Sequence, residues 1–359
     1  MQLRIPGPTP CPPEALKAMS RQMINHRGKE FEQLLQSVTA RLKEVFQTKE
    51  DVLLLTCAGT GGLEAAIVNT LSPGDEVLAC SCGVFGERFA SIAERYGARV
   101  KRLDFEWGTA VDPEAVRQAL KANPAVKAVM VTHNETSTGL TNDLASISSV
   151  VKEFDKLLLV DAVSSLSCID LPTDAWRCDV VVTASQKGWM VPPGLVMLSV
   201  NKRAWEAHSQ AKMPRFYLDF TQAKDYLQKG QTPWTPSISI CYALDATLDL
   251  MLKEGLPKVF ARHARVAKMA REGIKSLGLS LLTDEKHASN TVTAVNAAGT
   301  VDAPKLVQIL RDEYDVVLAG GQRKLSGKIF RIGHMGLVNE ADIKIVLKAI
   351  EKALPKARC

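Results

Sequence analysis

Two apolar runs in this chain each end in an ionisable residue, and the two residues carry opposite charge. Leu157-Leu158-Leu159-Val160 leads into Asp161, and Val181-Val182-Thr183-Ala184-Ser185-Gln186 leads into Lys187. Such runs belong in the buried middle of an α/β sheet, where ligands bind beyond the carboxyl ends of the strands. One chemistry needs an amine and a carboxylate placed this way. The lysine forms a Schiff base with pyridoxal 5'-phosphate, and the aspartate keeps the pyridinium nitrogen protonated so that the ring acts as an electron sink. Gly188 and the apolar neighbours suit a desolvated amine, whose pKa falls and frees the nucleophile. The plainer readings are a surface lysine after a strand and, for Asp161, a helix N-cap shared with Ser164 and Ser165.

A phosphate site is readable upstream. Leu53-Leu54-Leu55-Thr56 reads as a strand, Ala58-Gly59-Thr60-Gly61-Gly62 as a turn, and Leu63-Glu64-Ala65-Ala66-Ile67-Val68 as the opening of a helix. Glycines admit a phosphate close to the backbone, the helix end offers N–H groups and a positive dipole, and Thr60 adds a hydroxyl. No Gly-Lys-Ser/Thr closes the loop, so it is not a P-loop, and its glycine spacing is wrong for a dinucleotide fingerprint.

These residues, with several motifs in order along nearly the whole chain, resemble the class V aminotransferases of fold type I, close to the serine–pyruvate and alanine–glyoxylate group. The motifs are Ile5-Pro6-Gly7-Pro8-Thr9-Pro10, Asn25-His26-Arg27-Gly28-Lys29-Glu30-Phe31, the Ala58–Gly62 loop and Gly83-Val84-Phe85-Gly86-Glu87-Arg88. His133-Asn134-Glu135-Thr136-Ser137-Thr138-Gly139, Asp161, Ser185-Gln186-Lys187, Thr232-Pro233-Trp234-Thr235-Pro236 and Gly327-Lys328-Ile329-Phe330-Arg331-Ile332-Gly333 follow. The resemblance implies cofactor contacts from Thr60, Gly61, Gly62, Gln186 and Lys187. It implies a stacking ring at Phe85, where many relatives carry Trp. It also implies a hydroxyl from Thr136 to the ring oxygen, although Ser137 and Thr138 are rivals for that role. Thr235 would reach the phosphate of the neighbouring subunit, making the site a property of a homodimer.

Arg331 stands in a strand-like run, where a charged residue needs a partner. A planar guanidinium binds a carboxylate bidentately, so Arg331 is the expected substrate clamp, a structural ion pair being the alternative. His133 and His334 read as supporting or core groups, and Arg27 and Arg88 stay unassigned.

The elements that must position these groups follow the same pattern. Strands are expected at 52–57, 76–80, 98–103, 127–132, 156–161, 179–184 and 194–200, with helices such as 84–96, 112–121 and 142–154 between them. This alternation predicts an α/β fold: a mostly parallel seven-stranded sheet between helices, followed by a smaller C-terminal α+β domain. The expected divisions are an N-terminal arm over 1–15, a large cofactor-binding domain over 16–238 and a small domain over 239–359. Residues 212–238, with Pro214, Pro233 and Pro236, read as a long irregular connection. Helices are expected from near Ser239 through Leu252 and over 256–276. Elements at 290–296, 303–314, 328–333 and 340–354 follow.

Composition narrows the function classes. The 359 residues are 46% hydrophobic and 23% charged with a net charge of +6, and no basic stripe interleaved with aromatics argues for nucleic acid. The cysteines at 11, 57, 80, 82, 168, 178, 241 and 359 form no Cys-x-x-Cys pair and suggest no metal site. No apolar run reaches ~18 residues, and the Met-Gln-Leu-Arg-Ile-Pro start is not a signal peptide, so neither membrane nor export is expected and the cytoplasm is the default. The expectation is a transaminase. It would move an amino group from serine or alanine to glyoxylate or pyruvate by a ping-pong route, with no distal-carboxylate arginine marked by motif. Gln186, Phe85 and the terminal position of Cys359 speak against a cysteine desulfurase. A phosphonate- or aspartate-type transaminase, or a partner subunit of a complex such as a soluble hydrogenase, are the alternatives.

Overall fold

In the computed structural model, which describes residues 1–358, the alternating pattern becomes a seven-stranded sheet. Its strands lie in the order Asp51–Leu55, Val196–Val200, Val180–Ala184, Leu157–Asp161, Val126–Thr132, Glu76–Ser81, Arg99–Asp104. Val196–Val200 runs antiparallel to both neighbours, and the other pairings are parallel. The two-residue period of a strand sends Val52 and Leu54 into the core on one face and Leu53 and Leu55 into the core on the other. Val180–Ala184 and Val196–Val200 are buried throughout, as near-continuous apolar runs require when helices cover both faces.

Leu55, Ser81, Thr132, Asp161 and Ala184 all end at one edge of this sheet. That edge collects the Gly-rich loop, the His133–Gly139 segment, Asp161 and Lys187. A second sheet, Ser280–Leu281, Val292–Asn296, Ile329–Gly333 and Ala319–Gly320 in that order, is antiparallel. Helices Ala303–Tyr314 and Glu340–Ala357 share its core. Helix Ile238–Glu254, which opens the C-terminal part as divided above, packs on Pro13–Met19 and Lys29–Phe46, and its Ile240, Leu244 and Leu248 join the large-sheet core.

Residues 212–238 are more regular than their prolines imply. Phe220–Gln228 is a helix. Asp219 caps it by accepting from Gln222 N, and Phe220 and Ala223 are buried. Two apolar anchors and one good N-cap were enough, and the prolines lie outside the helix. The N-terminal residues are sewn to both parts of the chain: Gln2–Leu3 pairs in parallel with Val316–Val317, and Pro13–Met19 forms a helix. No helix among the described residues is long and apolar enough to cross a membrane.

Candidate active site

Lys187 follows its strand through a loop fixed by Ser185. That hydroxyl donates to Pro192 O at 2.7 Å and accepts from Leu195 N at 3.2 Å. The Lys187 amine donates to the carbonyl oxygen of Pro6. Burial lowers its pKa to about 8; Asp161 opposes this, while Arg331 and Arg88 add to it. The amine is therefore far closer to its free, nucleophilic form at neutral pH than a surface lysine is.

Asp161 is only 4% exposed. Its carboxylate accepts from Val163 N at 3.0 Å, with no Lys, Arg or His nitrogen of the described residues within 4.0 Å. Burial pushes its pKa up to about 7 against the Val163 hydrogen bond, Glu135 adds to the rise, and Lys187 and Arg88 oppose it. No helix starts at Asp161, so the N-cap reading does not apply. A buried carboxyl without a cation is a site prepared for one.

Glu135, which the sequence reading quoted but assigned no role, organises the neighbouring helix. Fully buried, it accepts from Phe85 N at 3.0 Å and Gly86 N at 3.1 Å through one oxygen, and from Ser137 N at 3.1 Å through the other. Helix Val84–Arg95 has Gly83 at its N-cap and no side-chain cap of its own, so a remote carboxylate supplies it. A β-carbon at Gly83 would lie 2.5 Å from Glu135 Cγ and Cδ. Glu135 stands 50 residues from Phe85 in the chain, so no local pattern in the sequence marked this cap. The cap holds Phe85 half-buried in the first turn, with the Arg88 guanidinium 4.8 Å from the centre of its ring.

The three rival hydroxyls are all buried and differ in their partners. Thr136 Oγ1 donates to Ser164 Oγ at 2.7 Å, Ser164 donates to Asn134 O at 2.9 Å, and Ser137 Oγ is engaged by Glu135. Ser164 thus joins Thr136 in one chain of hydroxyls, a link that 28 residues of separation hid from the sequence.

Arg331 is 5% exposed. Nε and Nη2 donate to Gly320 O at 3.0 and 2.8 Å, and Nη1 to Thr136 O at 3.2 Å. No carboxylate of the described residues lies within ion-pair distance, so the structural ion pair is not what holds it. One edge of the fork is spent on Gly320. The Nη1/Nη2 edge keeps N–H groups for an incoming carboxylate.

At the Gly-rich loop, helix Gly59–Thr70 starts without a side-chain cap; Gly61 N and Gly62 N donate to Ala58 O at 2.8 and 3.3 Å, which leaves the N–H groups of Gly59 and Thr60 for an anion. The glycines also answer to packing. A β-carbon at Gly62 would meet Val196 Cγ1 at 2.5 Å and Val182 Cγ1 at 2.6 Å, and one at Gly61 would meet Cys57 Sγ at 3.0 Å. Thr60 is half-buried on the same turn. Gln186 Oε1 is buried without a partner. Thr235 is exposed on the loop that Arg27 ties down through Thr232 O and Pro233 O, and within this chain it takes no part in the cluster around Lys187.

His133 and His334 are core groups. His133 shares a hydrogen bond with Ser165 Oγ, and burial takes its pKa down to about 4. His334 sits on Thr293, and burial takes it to about 3. Cys359 lies outside the described residues.

The unpaired Asp161 carboxyl, the uncapped helix end and the Lys187 amine, lowered to about 8, together suit a ring cation, a phosphate and an aldehyde in one ligand. Pyridoxal phosphate carries all three.

Comparisons with known proteins agree with this geometry. The family model described as aminotransferase class-V matches residues 4–338. A 42 kDa subunit of soluble hydrogenase from Anabaena cylindrica is 44% identical over 99% of this chain and 93% of its own. An L-aspartate–glyoxylate aminotransferase from Paracoccus denitrificans is 37% identical over 94% of this chain and 87% of its own. The crystal structure of an alanine–glyoxylate aminotransferase from Nostoc superposes with a TM-score of 0.95 at 32% identity, covering 98% of this chain and 95% of that one.

Proposed function

Given that the chain belongs to the class V aminotransferase family, we propose that it is a pyridoxal phosphate-dependent enzyme that moves an amino group from serine or alanine to glyoxylate or pyruvate. The observation that carries the reading is the pair formed by Lys187, an amine lowered to about 8, and Arg331, a buried guanidinium with a free fork edge and no carboxylate.

When bound, pyridoxal phosphate supplies an aldehyde for the amino group and a protonated ring that withdraws electrons from the bond to be broken. Asp161 would hold the ring nitrogen, and the first turn of Gly59–Thr70 with Thr60, Gly61, Gly62 and Gln186 would hold the phosphate. Phe85 would cover the ring, and Thr136, its hydroxyl turned away from Ser164, would donate to the ring oxygen. Arg331 receives the substrate carboxylate, which fixes the direction of the Cα–H bond. Lys187 Nζ takes the proton from Cα and later returns it. The same residues act in reverse on the 2-oxo acid, so the kinetics are ping-pong.

Thr235 would complete the phosphate site of a second subunit. An aromatic patch beside it supports a homodimer: Phe216 is 70% and Tyr217 47% exposed, and Tyr217 stacks on Trp234. Sedimentation showing a fully active monomer would count against this shared site.

Arg88 favours a second donor. Its guanidinium faces Phe85 and makes no ion pair with any described residue, so it could receive the distal carboxylate of aspartate, the donor named for the Paracoccus relative. A screen of serine, alanine and aspartate against glyoxylate and pyruvate, preceded by an absorption spectrum, decides the donor. Turnover with none of them, or hydrogen uptake instead, defeats the proposal.

A further inference from the structure

The first nine residues join the two halves of the site. Gln2 N and Arg4 N donate to Asp315 O at 2.8 Å and Val317 O at 2.9 Å. Gly333 N, two residues beyond Arg331, donates to Arg4 O at 2.6 Å, and the Arg4 guanidinium pairs with Asp342 at 2.8 Å. A few residues later the chain reaches the large sheet. The Lys187 amine donates to Pro6 O, Thr9 N donates to Gln186 O at 3.0 Å, and Thr9 Oγ1 donates to Lys187 O at 2.8 Å. Gly7 lies against the lysine side chain. A β-carbon there would stand 2.7 Å from both Nζ and Cδ of Lys187, and its φ of +109° is one that side chains rarely adopt.

We propose that residues 4–9 are a strap that seats the Lys187 amine on the Pro6 carbonyl and sets its distance from the strand of Arg331, so that Pro6, Gly7 and Thr9 act as positioning residues for the proton transfer. The inference rests on the transaminase reading for its catalytic meaning, but the seat itself is a property of the protein alone. The strap touches the lysine through a backbone acceptor and carries no charge of its own between residues 5 and 9. It therefore orients the amine and leaves the neighbouring charges, Asp161, Arg331 and Arg88, to tune it. Gly7 keeps the space that the lysine fills, and Thr9 ties the strap to the lysine at two successive carbonyls. Misplacement of a reacting group by about 1 Å costs on the order of a hundredfold in rate, so loosening the seat should appear in kcat rather than KM.

The test uses Gly7→Ala, Thr9→Val and the conservative Thr9→Ser in the full chain. Cofactor-free protein is labelled with a trace of acetic anhydride, and acetylation of Lys187 is read by peptide mass spectrometry against surface lysines as internal standards. The proposal expects Lys187 labelling to change at least about threefold in Gly7→Ala and Thr9→Val, with Thr9→Ser close to wild type. It also expects kcat to fall about tenfold or more in the first two, with KM for amino donor and oxo acid unchanged. Wild-type labelling in both altered proteins overturns the strap, whatever their activity. An equal fall in every variant including Thr9→Ser, or a rise in KM alone, also overturns it. If the labelling shifts as expected and wild-type protein transaminates nothing, the strap stands and the functional reading fails.

Discussion

Arg331 Nη1 donates to the carbonyl oxygen of Thr136 across 3.2 Å, linking the smaller sheet to the segment that carries the hydroxyls of the site. The two residues are 195 positions apart. A carboxylate drawn onto the remaining edge of this guanidinium is thereby held in register with Thr136 and Ser164.

Arg331→Lys tests that register. Lysine keeps the charge and loses the planar fork, which loses the two parallel donors for a carboxylate and the second hold on Gly320. A charge-assisted pair contributes on the order of 1.5–3 kcal/mol, so kcat/KM should fall at least about tenfold for both half-reactions, with the cofactor spectrum unchanged. Single-turnover rates with serine, alanine, glyoxylate and pyruvate check this. A defect in one half-reaction alone means that Arg331 does not clamp both substrates.

Asp161 predicts a trade of stability for function. Its folded pKa of about 7 lies above the unfolded carboxylate value of about 3.9. The folded cofactor-free protein therefore binds the proton more tightly, and that stabilising contribution is complete below pH ~4 and is lost as pH rises through ~7. Asp161→Asn should melt higher than wild type at pH 8 without cofactor, by on the order of 2–4 kcal/mol, and should match it near pH 4. With pyridoxal phosphate the order should reverse, because Asn cannot hold a protonated ring nitrogen. Thermal melts at the two pH values, with and without cofactor, read both signs.

Gly62→Ala separates packing from phosphate binding at the Gly-rich loop. The added methyl meets Val196 and Val182 at 2.5 and 2.6 Å, both in fully buried strands. Overpacking of this kind costs about 1–3 kcal/mol. Gly62→Ala should lower Tm, and Gly62→Ala with Val182→Ala should recover part of the loss. Unchanged stability together with weakened cofactor binding would assign Gly62 to the phosphate instead.

The ends of buried strands were legible from sequence because an apolar run that stops at a charge is a local pattern, which is why Asp161 and Lys187 stood out. The seven strands and the smaller α+β part followed from alternation alone. Contacts that bridge long separations were not legible. The pairing of Pro6 with Lys187, the Glu135 cap on the helix of Phe85 and the Gly320 carbonyl under Arg331 join backbone groups, which are the same for every residue type. Phe220–Gln228 was missed because flanking prolines outweighed a short helix held by one cap and two apolar side chains.

The Lys187 amine also sets a pH dependence. Its folded pKa of about 8 lies below the ordinary lysine value of about 10.4. Combination of the cofactor-free protein with pyridoxal phosphate should therefore accelerate with pH and level off above ~8. A rate still climbing steeply at pH 10 would mean that the reacting amine is an ordinary surface lysine.

Borohydride reduction of the cofactor-loaded protein, followed by peptide mapping, tests the central claim most directly. The account predicts one pyridoxyl group per chain, on Nζ of Lys187, and loss of the visible absorption band in Lys187→Ala. A pyridoxyl group on any other lysine, or an unmodified Lys187 in fully loaded protein, would contradict it.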